Sequence, residues 1–164
     1  MPRVTNLVDV LVVGAGPAGI AAALTAHRAG LRVTVIDKAT FPRDKCCGDG
    51  LTTLALRELE AIGLRPEHVP SWQTVSAAWL RSPSGREVCL PMPDDGVYAA
   101  TTPRRELDDA LVRLARSAGA DVREGQALSR AELERSVDPM APGTPFGVQF
   151  VAVNQSLFVE PFHV

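Results

Sequence analysis

Residues Val8 to Asp37, VDVLVVGAGPAGIAAALTAHRAGLRVTVID, constrain the chain more than any other stretch. An apolar run, Val8–Val13, enters Gly14-Ala15-Gly16-Pro17-Ala18-Gly19. An alanine-rich helical segment, Ala18–Ala29, follows and is closed by Gly30. A second apolar run, Arg32–Ile36, then ends in Asp37. Strand, glycine turn, helix and strand form the setting in which a GxGxxG pattern binds a dinucleotide. Gly14 lets the chain turn off the strand, Gly16 admits a pyrophosphate to the backbone, and Gly19 brings the helix close to the sheet. The helix N-terminus offers unpaired N–H groups and partial positive charge to phosphates, and Pro17 costs its first turn no hydrogen bond. Asp37 can accept hydrogen bonds from ribose hydroxyls and would repel a 2′-phosphate, which favours FAD or NAD over NADP. The candidate cofactor-binding residues here are Gly14, Gly16, Pro17, Ala18, Gly19, Asp37 and its neighbour Lys38.

The rest of the composition narrows the class. The 164 residues suit about one domain, and 46% hydrophobic with 22% charged residues is ordinary for a soluble globular protein. A net charge of −2 gives no electrostatic footprint for nucleic acid or an anionic membrane. No apolar run reaches the roughly 18 residues of a transmembrane helix. The N-terminus runs straight into the first strand, leaving no room for a signal peptide. Three cysteines, an odd number with two adjacent, argue against a disulfide framework and for a reducing cytoplasm. Cys46, Cys47 and Cys89 lack metal-site spacing, so no metal is expected.

Along the chain, Lys38–Gly50 reads as a loop and Thr52–Ile62 as a helix with Leu54, Leu59 and Ile62 on one stripe. Leu64–Trp72 is an irregular connection. Val75–Leu80 and Glu87–Leu90 flank Ser82-Pro83-Ser84-Gly85 as a β-hairpin, and Val97–Thr101 is a short strand. Arg104–Ala118 is an amphipathic helix burying Leu107, Leu111, Leu114 and Ala115, and Ala120–Arg123 returns as a third strand of the parallel sheet. Beyond Leu128 a capping-box pattern (Ser129, Glu132) and strand-like runs at Val148–Val153 and Leu157–Val159 have no obvious partners.

One loop carries a family signature. Phe41-Pro42-Arg43-Asp44-Lys45-Cys46-Cys47-Gly48-Asp49-Gly50-Leu51, together with GAGPAG and Arg104 through Leu111, resembles the FPRxKxCGDGL and R-x-x-L/F-D-x-x-L patterns of the geranylgeranyl reductase family. These are FAD-dependent oxidoreductases related to aromatic-ring hydroxylases and flavin-dependent halogenases. The resemblance covers roughly residues 6–128. It implies that Asp37 binds the adenosine ribose, that Cys47, Gly48 and Gly50 line the flavin side, that Arg104 reaches FAD from its helix start, and that Ala127 lies near the adenine. Glycines at 48 and 50 would permit close approach and positive φ, and a guanidinium suits phosphate or ribose oxygens. The alternatives are a plain surface turn for Gly48–Gly50 and a solvated Arg104. Cys47 is the candidate catalytic residue: it could protonate a substrate carbon, lie against the flavin, or be a buried inert thiol. Cys46 replaces the family's usual proline.

Trp72, Trp79 and Tyr98 lie where the resemblance puts the start of a substrate sheet, so they could touch substrate or simply pack. His27, His68 and His163 lack partners at fixed spacing and read as structural or solvated; the charges of Arg113–Arg123 read as a solvated face. The family's later Ala-Asp-Gly and Gly-Asp motifs are absent, and a member needs roughly twice this length. The expected fold is therefore α/β: a Rossmann-like FAD/NAD(P)-binding domain with a parallel central sheet and an inserted β-hairpin region, truncated. Residues 1–128 would be this incomplete domain, with substrate-domain strands beginning around 74–101, and 129–164 a divergent tail. The resemblance implies reduction of prenyl C=C bonds, with a prenyl lipid or other hydrophobic substrate and an external reductant such as NAD(P)H or ferredoxin. The alternatives are a monooxygenase or halogenase, or a non-catalytic dinucleotide-binding remnant. The expected location is cytoplasmic, with peripheral membrane association left open by a lipid substrate.

Overall fold

A computed structural model describes residues 8–128. In chain order the elements are β1 (Val10–Val13), α1 (Pro17–Arg28), β2 (Val33–Ile36), β3 (Gly50–Thr52), α2 (Thr53–Ala61), β4 (Gln73–Thr74), β5 (Ala77–Arg81), β6 (Glu87–Pro91), β7 (Ala99–Thr101), α3 (Arg104–Ser117) and β8 (Asp121–Arg123). They divide into two compact units, one of residues up to Phe41 with those from Leu111 onward, the other Pro42–Ala110. The patterns expected beyond Leu128, and His163 with them, lie outside the described residues.

In the first unit β1, β2 and β8 form a parallel sheet in that order, Val10 opposite Val33 and Thr34 opposite Asp121. Central β2 buries all four of its residues, as a strand flanked on both sides must. The helix α1 packs on β1 and β2, burying Ile20, Ala23 and Leu24. At the sheet's leading edge the Asp9 carboxylate accepts hydrogen bonds from the Arg32 backbone N–H (2.8 Å) and guanidinium (2.9 and 3.0 Å). The parallel α/β expectation holds here element by element.

The second unit is mostly antiparallel. The short β7 is bracketed by β3 and β4, while β5 and β6 form the expected hairpin. Several boundaries differ from the sequence reading. Gly50 opens a strand rather than closing a loop, because its partner, Thr101 of β7, lies far along the chain. Thr52 ends that strand and caps α2, its hydroxyl accepting from the Ala55 N–H. Leu54, expected on the buried stripe, is 67% exposed; Leu59 and Ile62 are buried. The strand expected from Val97 begins at Ala99, and the Leu64–Trp72 connection contains one 3-10 turn, Pro66–His68.

Along α3, Leu107, Leu111 and Ala115 are buried as expected and Leu114 is half-buried, but Asp108 and Val112 share the hidden stripe. Among the described residues no helix is long and apolar enough to cross a membrane.

Candidate functional site

The glycine turn of the first unit has the expected geometry. Gly14 sits at φ +104 and donates its N–H to the Ile36 carbonyl at 2.7 Å, joining the ends of β1 and β2. A Cβ on Gly19 would stand 1.9 Å from the Gly14 carbonyl oxygen and 3.3 Å from the Val12 side chain, so only glycine fits there. Gly16 is the N-cap of α1 and offers no side-chain cap; Pro17 follows, and no acidic residue occupies the first turn. The positive end of a 12-residue helix is thus left to an anion or water.

Asp37, 6% exposed, ties this turn to β2. One carboxylate oxygen accepts from the Ala15 N–H at 2.7 Å, the other from the Ala39 N–H at 2.8 Å. Each oxygen keeps a second acceptor direction that a ribose hydroxyl can use. The Gln126 N–H donates to the Asp37 carbonyl at 2.9 Å, bringing exposed Ala127 beside the same strand end. Ala18 and Lys38 are exposed as well. A bare helix N-terminus, brought close to β1 by Gly19, and an acid at the end of β2 fit the pyrophosphate and ribose of a dinucleotide such as FAD.

In the second unit a different cluster forms. Asp108, fully buried, receives the Arg104 guanidinium in a bidentate grip (Nε to Oδ1 and Nη2 to Oδ2, 3.0 Å each) and Arg43 Nη2 at 3.2 Å. The Asp49 carboxylate accepts from the Arg104 backbone N–H at 3.2 Å, and the Asp49 carbonyl from the Thr102 N–H at 3.0 Å, fastening the CCGDG loop to the start of α3. The Asp49 backbone and the Arg104 guanidinium beside the Cys47 thiol draw its pKa down. Among residues 42–110 the chain therefore brings together Arg43, Cys47, Asp49, Arg104 and Asp108.

One expectation needs correction, and two of the alternatives fall away. Positive φ in this loop belongs to Asp49 (+53), not to Gly48 or Gly50, because Asp49 must turn both its carboxylate and its carbonyl toward α3. Arg104 is not solvated; Asp108 takes its charge, and its side chain is 16% exposed. Cys47 is exposed rather than buried, as are Cys46 and Cys89.

Sequence reasoning overlooked the roles of Arg43, Asp49 and Asp108. The usable signal was the position of Asp108 between Leu107 and Leu111 on the apolar stripe, one turn after Arg104. Of the other candidates, Trp72 and Tyr98 line a cleft of about 470 Å³ with Arg57, Arg65 and Asp95, whereas Trp79 is 70% exposed on the hairpin. The Tyr98 hydroxyl donates to Asp95 at 2.8 Å. His27 sits in the last turn of α1, and His68 Nδ1 accepts from the Arg65 N–H at 3.1 Å. Among the described residues no group of three His, Cys, Asp or Glu is placed to hold a metal ion.

The sequence pattern of the FAD binding domain matches residues 7–141. The chain belongs to this FAD-binding family. FAD is accordingly its cofactor, and the family is one of flavoprotein oxidoreductases. It is 46% identical over 122 residues to a menaquinone reductase of Mycolicibacterium smegmatis, covering 71% of this chain and 29% of that one. A geranylgeranyl bacteriochlorophyll reductase-like protein of Thermoplasma acidophilum superposes with a TM-score of 0.61 at 32% identity, over 72% of this chain and 30% of the other. The flavin-dependent halogenase CmlS gives 0.63 at 27% identity, over 76% and 24%. The chain thus spans less than a third of the length of the curated relative it matches.

Proposed function

We propose that the chain is the N-terminal, FAD-binding part of an oxidoreductase that saturates a C=C bond in a prenyl chain. The observation that carries this reading is exposed Cys47, in the CCGDG loop, beside the Arg104 guanidinium at the start of α3. Saturating an isolated alkene takes a hydride at one carbon and a proton at the other, and an exposed thiol beside a guanidinium is a group able to hold and release that proton. The hydride chemistry belongs to the reduced flavin, when bound. This chain's own residues bind and orient: the α1 N-terminus holds the pyrophosphate, Asp37 the adenosine ribose with Ala127 by the adenine, and Cys47, Gly48, Gly50 and Arg104 the flavin side. An external reductant such as NAD(P)H or ferredoxin restores the flavin.

The menaquinone reductase and the geranylgeranyl reductase-like protein support an isoprenoid substrate, since menaquinone carries an isoprenoid side chain. The halogenase favours a second reading, an oxygen-using monooxygenase or halogenase. Two experiments decide. Titrating the purified chain with FAD should give a flavin spectrum that survives desalting; no retained flavin would refute cofactor binding by this stretch. With a protein of the relatives' length, anaerobic turnover should add two hydrogens to a prenyl chain. Turnover that needs oxygen and an aromatic substrate, or reduction of a quinone ring with its side chain unchanged, would refute it.

A further inference from the structure

The R-x-x-L-D arrangement is an odd choice for a helix. A cation in the first turn opposes the helix dipole, and an arginine preceding its acid by four residues is the less favourable order for such a pair. Yet Arg104 and Asp108 meet in a two-bond fork, and Asp108 is fully buried. A second guanidinium, that of Arg43 in the loop, reaches the same carboxylate at 3.2 Å. One buried anion between two cations leaves the trio with a net positive charge. The Cys47 thiol lies beside the Arg104 end of it. The Asp49 carboxylate also faces the thiol and opposes thiolate formation.

We propose that Asp108 is the positioning residue of this cluster: its buried carboxylate, gripped by Arg43 and by Nε and Nη2 of Arg104, fixes the Arg104 guanidinium beside the Cys47 thiol. A planar guanidinium held by two bonds to one carboxylate cannot swing, so its remaining donors keep one direction. The inference rests on the proposed function only in taking Cys47 and Arg104 as site residues; the arrangement itself needs no flavin and no turnover.

The test is the pH profile of Cys47 alkylation by iodoacetamide, followed by peptide mass spectrometry in a Cys46→Ser, Cys89→Ser background. The two effects of removing the Asp108 charge have opposite signs. If Asp108 were merely a counter-charge, Asp108→Asn would leave Arg104 in place and more strongly positive, and the midpoint would fall. If it positions Arg104, the guanidinium loosens and the midpoint rises by about one pH unit, slowing alkylation at pH 7 about tenfold. A rise, with far-UV circular dichroism unchanged, supports the proposal; a fall or no change overturns it. Should Asp108→Asn not fold, Asp108→Glu keeps the charge but displaces it by one methylene. A smaller rise is then expected, and a profile like that of the parent overturns the proposal. FAD titration of the same variants runs separately, so loss of flavin binding in the parent would count against the proposed function and not against the role of Asp108.

Discussion

At the residue scale the glycine turn and its acid make the sharpest demands. Gly19→Ala would drive a methyl into the Gly14 carbonyl oxygen, a backbone atom that cannot step aside. The expected loss is about 3 kcal/mol, read from the urea midpoint, together with loss of FAD retention. Asp37→Ala leaves the Ala15 N–H, on a fully buried residue, without its acceptor. That should cost about 1–3 kcal/mol in stability, and loss of the proposed ribose contact should weaken FAD about tenfold in a titration. Asp9 supplies a pH dependence. Its hydrogen bonds from Arg32 hold its carboxyl down at about 2. A depressed folded-state value means the pair stabilises the fold above the usual carboxylate range and stops doing so as pH falls from about 4 toward 2. Because both partners are exposed, the effect on stability should be small, and NMR titration of Asp9 checks it, with a midpoint that rises in Arg32→Met, which loses the guanidinium but keeps the backbone N–H donor.

At the element scale α3 carries the clearest expectation. Leu111→Ala removes a fully buried side chain and should cost about 2–5 kcal/mol in denaturant unfolding, more than Leu114→Ala at its half-buried neighbour. This helix also shows where sequence reading succeeds and where it stops. Leu107, Leu111 and Ala115 announce themselves by spacing, as do β1, α1 and β2, whose apolar runs and glycine turn are local features. Asp108 does not, since an aspartate among arginines looks like part of a solvated face until two guanidiniums are seen to converge on it. β3 is equally silent: three residues are too few for periodicity, and their pairing depends on Thr101, Ala100 and Ala99. Leu54 misleads too, since it faces solvent while Thr53, Ala55 and Leu56 around it are half-buried. Asp49 carries no local signal either, although the hydrogen bonds from Arg104 and Thr102 make it the residue that turns the loop.

At the scale of the whole molecule, Gly14, Gly19 and Asp37 belong to one unit and Arg43, Cys47, Asp49, Arg104 and Asp108 to the other. The hairpin adds a separate property. Leu80, Val88 and Leu90 lie on one face of β5 and β6 and are about half exposed or more, with Trp79 on the opposite face. Exposed aliphatic side chains on a two-stranded sheet favour self-association. Leu80→Lys with Val88→Thr should therefore shift a concentration-dependent elution profile toward the smaller species while leaving the unfolding midpoint within about 0.5 kcal/mol. An unchanged profile would show that this face is not what associates.

The contrast between the two tryptophans makes the chain its own optical instrument. Trp79 stands in solvent, while Trp72 borders the cleft with its indole Nε1–H shielded. A soluble quencher should extinguish the Trp79 emission first, leaving a bluer residual band from Trp72. In Trp79→Phe that band stands alone, so changes around the cleft become visible in intrinsic fluorescence without any attached label.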